Sequence, residues 1–172
     1  MFEKMNILKV FFENPSEEFN VRQIARLKKI APATASKALK KLVKQTILTE
    51  REERMLKLYQ ANLDSELYKD MKLFYNIRKI KELVHDLNKF YLKPTIVLFG
   101  SARYGTDTET SDFDLLVISE KTVEFPDKKK FERKLNRPLQ IFNVKNIKDL
   151  KNKHLINNIV NGITIQGKIQ WI

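Results

Sequence analysis

The sequence predicts an α+β protein built from two small domains joined by a connecting helix. Three observations carry that expectation. Before residue 45, apolar residues recur three times at helical spacing, and the pattern then changes to short β-like runs. One long amphipathic stretch follows, from Asp64 to Tyr91. Beyond Pro94 the chain turns to short apolar runs punctuated by a Gly-Ser pair and an Asp-x-Asp triplet, the pattern of a small mixed sheet flanked by helices. The boundaries read as 1–61, 62–93 and 94–172.

Met5, Ile7, Leu8, Val10, Phe11 and Phe12 give a first helix, stopped by Asn14-Pro15. Phe19-Asn20-Val21 is a short extended piece. Asn20 is suited to cap a second helix over about 21–29, with Val21, Ile24, Ala25 and Leu27 on its apolar side. Pro32 fits the first turn of a third helix, which runs to about Gln45. Ala35, Ala38, Leu39, Leu42 and Val43 form its apolar stripe, and Thr34, Ser36, Lys37, Lys40, Lys41 and Lys44 its polar face. Two β-like runs come next, Ile47–Glu50 and Met55–Ala61, separated by charged residues.

Three helices followed by a hairpin resemble a winged helix-turn-helix over residues 1–61. Such folds place the third helix in the major groove and the hairpin wing on the backbone. The resemblance implies that Thr34, Ser36, Lys37, Lys40 and Lys41 face double-stranded DNA, the hydroxyls reaching phosphates or bases and the lysines mainly phosphates. The wing tip, Glu50-Arg51-Glu52-Glu53-Arg54, is net negative and a poor phosphate-binding surface. A winged-helix module used for dimerisation or protein docking is the competing reading.

Leu67, Met71, Phe74, Ile77, Ile80, Val84, Leu87 and Tyr91 lie three or four apart and predict one helix from Asp64 or Ser65 to just before Lys93-Pro94. A stripe this long must bury against a neighbouring domain or a second subunit, and a homodimer is expected.

After Pro94, the run TIVLF is a short strand ending in Gly100-Ser101-Ala102-Arg103-Tyr104-Gly105. Ten residues separate Ser101 from Asp112, and Asp112-Phe113-Asp114 opens a second apolar strand. A strand feeding a helix through Gly-Ser lets backbone N–H groups and the serine hydroxyl approach a phosphate closely. Asp112 and Asp114, two apart on a strand, point to one face. Paired carboxylates call for a cation, and Mg²⁺ prefers such oxygens together with substrate phosphates. Arg103 either reaches the same phosphates or braces the site by pairing with Asp107 or Glu109.

Gly100, Ser101, Asp112 and Asp114 with their flanking strands resemble the nucleotidyltransferase superfamily that includes DNA polymerase β, and most closely its minimal nucleotidyltransferases. The resemblance implies a nucleoside triphosphate held with Mg²⁺ at Asp112 and Asp114. Active members usually place a third carboxylate on a later strand. Here that strand, Arg137–Asn143, offers Gln140 at the inward position, an amide that binds Mg²⁺ weakly and cannot act as a base. Nucleotide binding with degenerate catalysis is therefore expected. Glu120 and Glu132 are the remaining candidates for a third acid. The alternative is an active Mg²⁺-dependent transferase acting on a protein or small-molecule hydroxyl. Minimal nucleotidyltransferases also resemble the antitoxins of toxin–antitoxin pairs, which makes a protein target thinkable.

Composition bounds the rest. The net charge of +12 is spread along the chain, with 13 Lys/Arg against 7 Asp/Glu in residues 1–60 and 13 against 9 in residues 94–172. Such a chain favours polyanions without identifying one. With no Cys, disulfides, thiolate metal sites and cysteine nucleophiles are excluded, and His85 and His154 are too far apart to suggest zinc. The N-terminus lacks a signal-peptide layout, no run is long enough to span a membrane, and a cytoplasmic protein is expected. From Ile147 to Val160 the apolar rhythm is helical, Gly162 stops it, and residues 163–172 are expected to add a last strand, with Trp171 packing.

Overall fold

A computed structural model describes residues 2–169, without the side chains of residues 2–5. Gln170, Trp171 and Ile172, expected to prolong the final strand, lie outside the described residues, as does the side chain of Met5. The chain divides into two compact units, Met1–Lys72 and Leu73–Ile172.

In the first unit, α1 (Phe2–Glu13) is followed by β1 (Phe19–Asn20), α2 (Val21–Lys28) and α3 (Pro32–Lys44). The start of α2 is fixed by a reciprocal capping box, Asn20 accepting from the Gln23 N–H and Gln23 accepting from the Asn20 N–H. Pro32 occupies the first turn of α3, where its missing N–H costs nothing. A hairpin of β2 (Leu48–Glu53) and β3 (Leu56–Ala61) pairs with β1 in the antiparallel order β1-β3-β2. The charged residues Arg51 to Glu53 belong to β2, and a two-residue turn at Arg54-Met55 reverses the chain, both residues at positive φ. The core gathers Phe11, Ile24, Leu39, Leu42, Leu48 and Tyr59, all buried. The Tyr68 hydroxyl donates to the Phe11 carbonyl at 3.0 Å, which ties the first turn of α4 to this unit.

The stretch expected as one helix is interrupted at Ile80, giving α4 (Glu66–Lys79) and α5 (Lys81–Phe90). Ile80 takes φ −88° and ψ 4°, off helical values, while its N–H still bonds Asn76 and its carbonyl accepts from Val84. Its side chain is fully buried among Leu83, Leu87 and Tyr91 in the core of the second unit. Much of the amphipathic stripe is thus accounted for by that core.

The second unit is a four-stranded sheet in the order β6-β5-β4-β7. Its elements are β4 (Thr95–Phe99), the single-turn α6 (Gly100–Tyr104), β5 (Phe113–Ile118), α7 (Lys128–Leu135), β6 (Leu139–Val144), α8 (Lys153–Val160) and β7 (Ile163–Gln166). β4 runs antiparallel to β5 and β7, and β6 runs parallel to β5. Strand alternation separates two apolar faces. Ile96, Leu98, Leu115 and Val117 pack with α5 and with Phe131 and Leu135 of α7. Val97, Phe99 and Leu116 pack with Ile147 and with Ile159 of α8. Among the described residues, no helix is long and apolar enough to cross a membrane.

Candidate functional site

The sheet pairing that closes the second core also assembles the site. Phe99, the last residue of β4, is the register partner of Asp114, and Asp114 is in turn the partner of Gln140 on β6. Phe99, Asp114 and Gln140 therefore lie side by side across three strands, and Gly100 follows directly on Phe99. Alternation puts Asp114 and Gln140 on the face of Leu116 and Phe142.

Gly100 has φ +70°, a conformation that L side chains rarely adopt. A Cβ there would overlap Asp114 Oδ2 and stand 3.1 Å from its Cγ, so the missing side chain lets the backbone close on the carboxylate. Ser101 is half-buried at the second position of α6. Because α6 is one turn long, the expected field of a helix terminus reduces to its first backbone N–H groups.

Asp112 lies just before β5, and its Oδ2 accepts from Gln140 Nε2 at 2.6 Å. Half-buried Asp114 has its carboxyl raised above the ordinary Asp range. Desolvation is the main cause and the charge of Asp112 adds to it, while the Arg137 guanidinium pulls the other way. Two neighbouring acids, one of them penalised for being charged, make a set of hard oxygen donors that gains from a cation. Asp112 and Asp114 are the residues that could hold a hard divalent cation. Among the described residues, no group of three or more His, Cys, Asp or Glu is placed to hold a metal.

The other acids considered for the site face elsewhere. Glu132 Oε1 accepts from the Leu139 N–H at 3.1 Å. Glu120 lies beyond Ile118, the end of β5, about 13 Å of strand away from Asp114.

Arg103 lies half-buried on α6. Its Nε is buried without a hydrogen-bond partner, and its guanidinium stands 5.0 Å from the Tyr104 ring centroid. Asp107, expected as one of its partners, is held by Arg137 Nη1 at 2.6 Å and by Asn76 Nδ2 at 2.8 Å. Arg137 also donates from Nε to the Ser111 carbonyl at 2.6 Å and from Nη2 to the Asp112 carbonyl at 3.3 Å. Asn76 reaches the Ala102 carbonyl at 3.0 Å. Sequence reasoning missed Arg137 and Asn76. Neither falls in a motif, and Arg137 was read as the first residue of a strand that the structure begins at Leu139.

In the first unit, Thr34, Lys37, Lys40 and Lys41 are exposed and Ser36 is half-exposed, while Ala35, Leu39 and Leu42 are buried beneath them. The five residues make one continuous arc of α3. Ser36 and Lys40 border a groove of about 490 Å³ whose lining also includes Arg22, Arg26 and Lys57 and no acidic residue. Thr34, Lys37 and Lys41 border a second groove of about 440 Å³ with Lys28. In the acidic β2–β3 hairpin the cations are engaged: Arg51 holds Glu53 and also Glu18 ahead of β1, and Lys57 holds Glu50 at 3.3 Å.

A mixed sheet that brings a positive-φ Gly-Ser turn against an Asp-x-Asp strand defines a nucleotide-transfer type of fold. Residues 77–164 match the model of the nucleotidyltransferase domain family, just over half of the chain, and the protein belongs to that family. No curated protein matches the chain.

Proposed function

We propose that the protein is a DNA-binding regulator whose nucleotidyltransferase domain binds a Mg²⁺–nucleoside triphosphate and turns it over poorly or not at all. The observation that carries this reading is Gln140. It stands at the register position beside Asp114, and its amide donates to Asp112. An amide there brings no negative charge for a second cation and no base for the attacking hydroxyl. Asp112 and Asp114 would hold Mg²⁺, which supplies charge compensation for the triphosphate. The Gly100-Ser101 turn offers backbone N–H groups and a hydroxyl to the phosphates. Arg103, with its buried and unpartnered Nε, is the nearby cation suited to the same phosphates.

The N-terminal unit acts as a winged helix. Its α3 arc of Thr34, Ser36, Lys37, Lys40 and Lys41 enters the major groove of double-stranded DNA, and Arg22 and Arg26 of α2 extend the cationic surface. A homodimer would read two half-sites.

Calorimetry tests the nucleotide reading. A nucleoside triphosphate should bind in Mg²⁺ and fail to bind in chelator. Incubation with ATP labelled at the α-phosphate, Mg²⁺ or Mn²⁺ and cell lysate should leave no labelled acceptor. Family membership supports a second reading, an active transferase that modifies a protein or small-molecule hydroxyl, with the winged helix as adaptor. A labelled acceptor in the same incubation selects it.

A further inference from the structure

We propose that Arg137 is a positioning residue that anchors the loop carrying Asp112, and so sets how the two aspartates face the Gly100-Ser101 turn. The consequence for nucleotide binding rests on the function proposed above; the anchoring itself does not. Arg137 is 9% exposed, and its guanidinium spends each of its three nitrogens on a different acceptor. Nη1 pairs with the buried Asp107, Nε holds the Ser111 carbonyl and Nη2 holds the Asp112 carbonyl. Its guanidinium carbon lies over the Phe113 ring, 4.3 Å from the centroid. Four points of the 107–113 segment are thereby fixed to one rigid plane. The next residue but one, Leu139, opens the strand that carries Gln140, so the plane also fixes this loop to β6.

Asp107 is not a loose counter-ion. Asn76 donates to it at 2.8 Å and to the Ala102 carbonyl of α6 at 3.0 Å. The chain of contacts thus runs from α6, through Asn76 and Asp107, to Arg137 and the Asp112 backbone. Both halves of the site, the phosphate turn and the aspartate strand, hang on the same buried pair. Lysine could replace the charge but not the fork, because an ammonium cannot present three coplanar donors in fixed directions.

The test compares wild type with Arg137→Lys, which keeps the charge, and Arg137→Met, which keeps only bulk, in the full chain. Two quantities are measured on each folded variant: amide hydrogen exchange without nucleotide, and Mg²⁺-dependent ATP affinity. The reporting amides belong to the anchored segment: Thr108 N–H bonds Ser111 Oγ, Ser111 N–H bonds the Thr108 carbonyl, and Phe113 N–H bonds the Pro138 carbonyl next to Arg137. Arg137→Lys should remain folded by its melting curve, speed exchange at these three amides tenfold or more, and weaken Mg²⁺–ATP binding about tenfold. Should Arg137→Met fail to fold, Arg137→Lys alone decides the matter. Unchanged exchange and affinity in Arg137→Lys would overturn the proposal. If wild type binds no Mg²⁺–ATP while exchange still rises in Arg137→Lys, the anchoring stands and the nucleotide reading falls.

Discussion

Gly100 is constrained twice over, by its φ of +70° and by the Asp114 carboxylate occupying the space a Cβ would need. Gly100→Ala takes on both penalties. The left-handed backbone alone costs about 1–2 kcal/mol for an L residue. Calorimetry should show the Mg²⁺-dependent nucleotide affinity largely lost, with a lowered melting temperature; wild-type affinity would mean that the turn does not meet the phosphates. Asp114 leads to an opposite stability effect. Its folded-state carboxyl is raised above the ordinary 3.8, so in the metal-free protein the charged form is disfavoured by folding. Stability from this group is present at low pH and is lost as pH rises through the raised value. Asp114→Asn should therefore raise the melting temperature of the metal-free protein at pH 7, and the gain should shrink as pH falls toward 3.8. The same substitution combined with Asp112→Asn should abolish Mg²⁺-dependent binding, since two amides leave the cation without charge compensation. Gly100, Ser101, Asp112 and Asp114 were legible because a tight turn and paired carboxylates need particular residues at fixed spacing. Arg137 was not, because burial of a charge depends on Asp107 and Asn76, which lie 30 and 61 positions away in the sequence.

Among the elements, α3 carries the clearest expectation. Lys37→Glu with Lys41→Glu should weaken DNA binding and lower its salt dependence, each phosphate contact removed reducing the slope by about 0.9. Unaltered binding across a salt series would exclude this face. The hairpin should add little, because Arg51 and Lys57 are engaged by Glu18, Glu53 and Glu50. Local signals gave the starts of α2 and α3, where Asn20 and Pro32 act on their own backbone, while the reciprocal bond from Gln23 emerged only in the structure. The break at Ile80 was hidden, since the apolar periodicity continues through it and the departure is confined to the backbone angles of one residue. The hairpin was read too short: Arg51 to Glu53 look like loop residues by polarity, yet the ladder from Leu48↔Ala61 to Glu53↔Leu56 keeps them in register. Gln140, expected at an inward position, pairs in register with Asp114 but is exposed there.

At the scale of the whole molecule, a homodimer is expected. Leu67 and Phe74 of α4 remain 47% and 52% exposed, and the DNA-reading function proposed above is commonly served by a dimer that pairs half-sites. Light scattering at high micromolar concentration should give twice the chain mass; a monomer would remove the idea. Gln140→Glu should create or raise transfer from α-labelled ATP by restoring a carboxylate beside Asp112 and Asp114. If it leaves transfer at background while nucleotide binding persists, the degenerate-site reading loses its cause. The neighbourhood of Gln140 also has a genetic side. Glutamine and glutamate codons differ only in the first base, so a single transversion supplies the missing carboxylate without disturbing the strand. A gene library under selection for nucleotide transfer should return that base change early and repeatedly. In this protein, sensor and enzyme would be separated by one nucleotide of coding sequence.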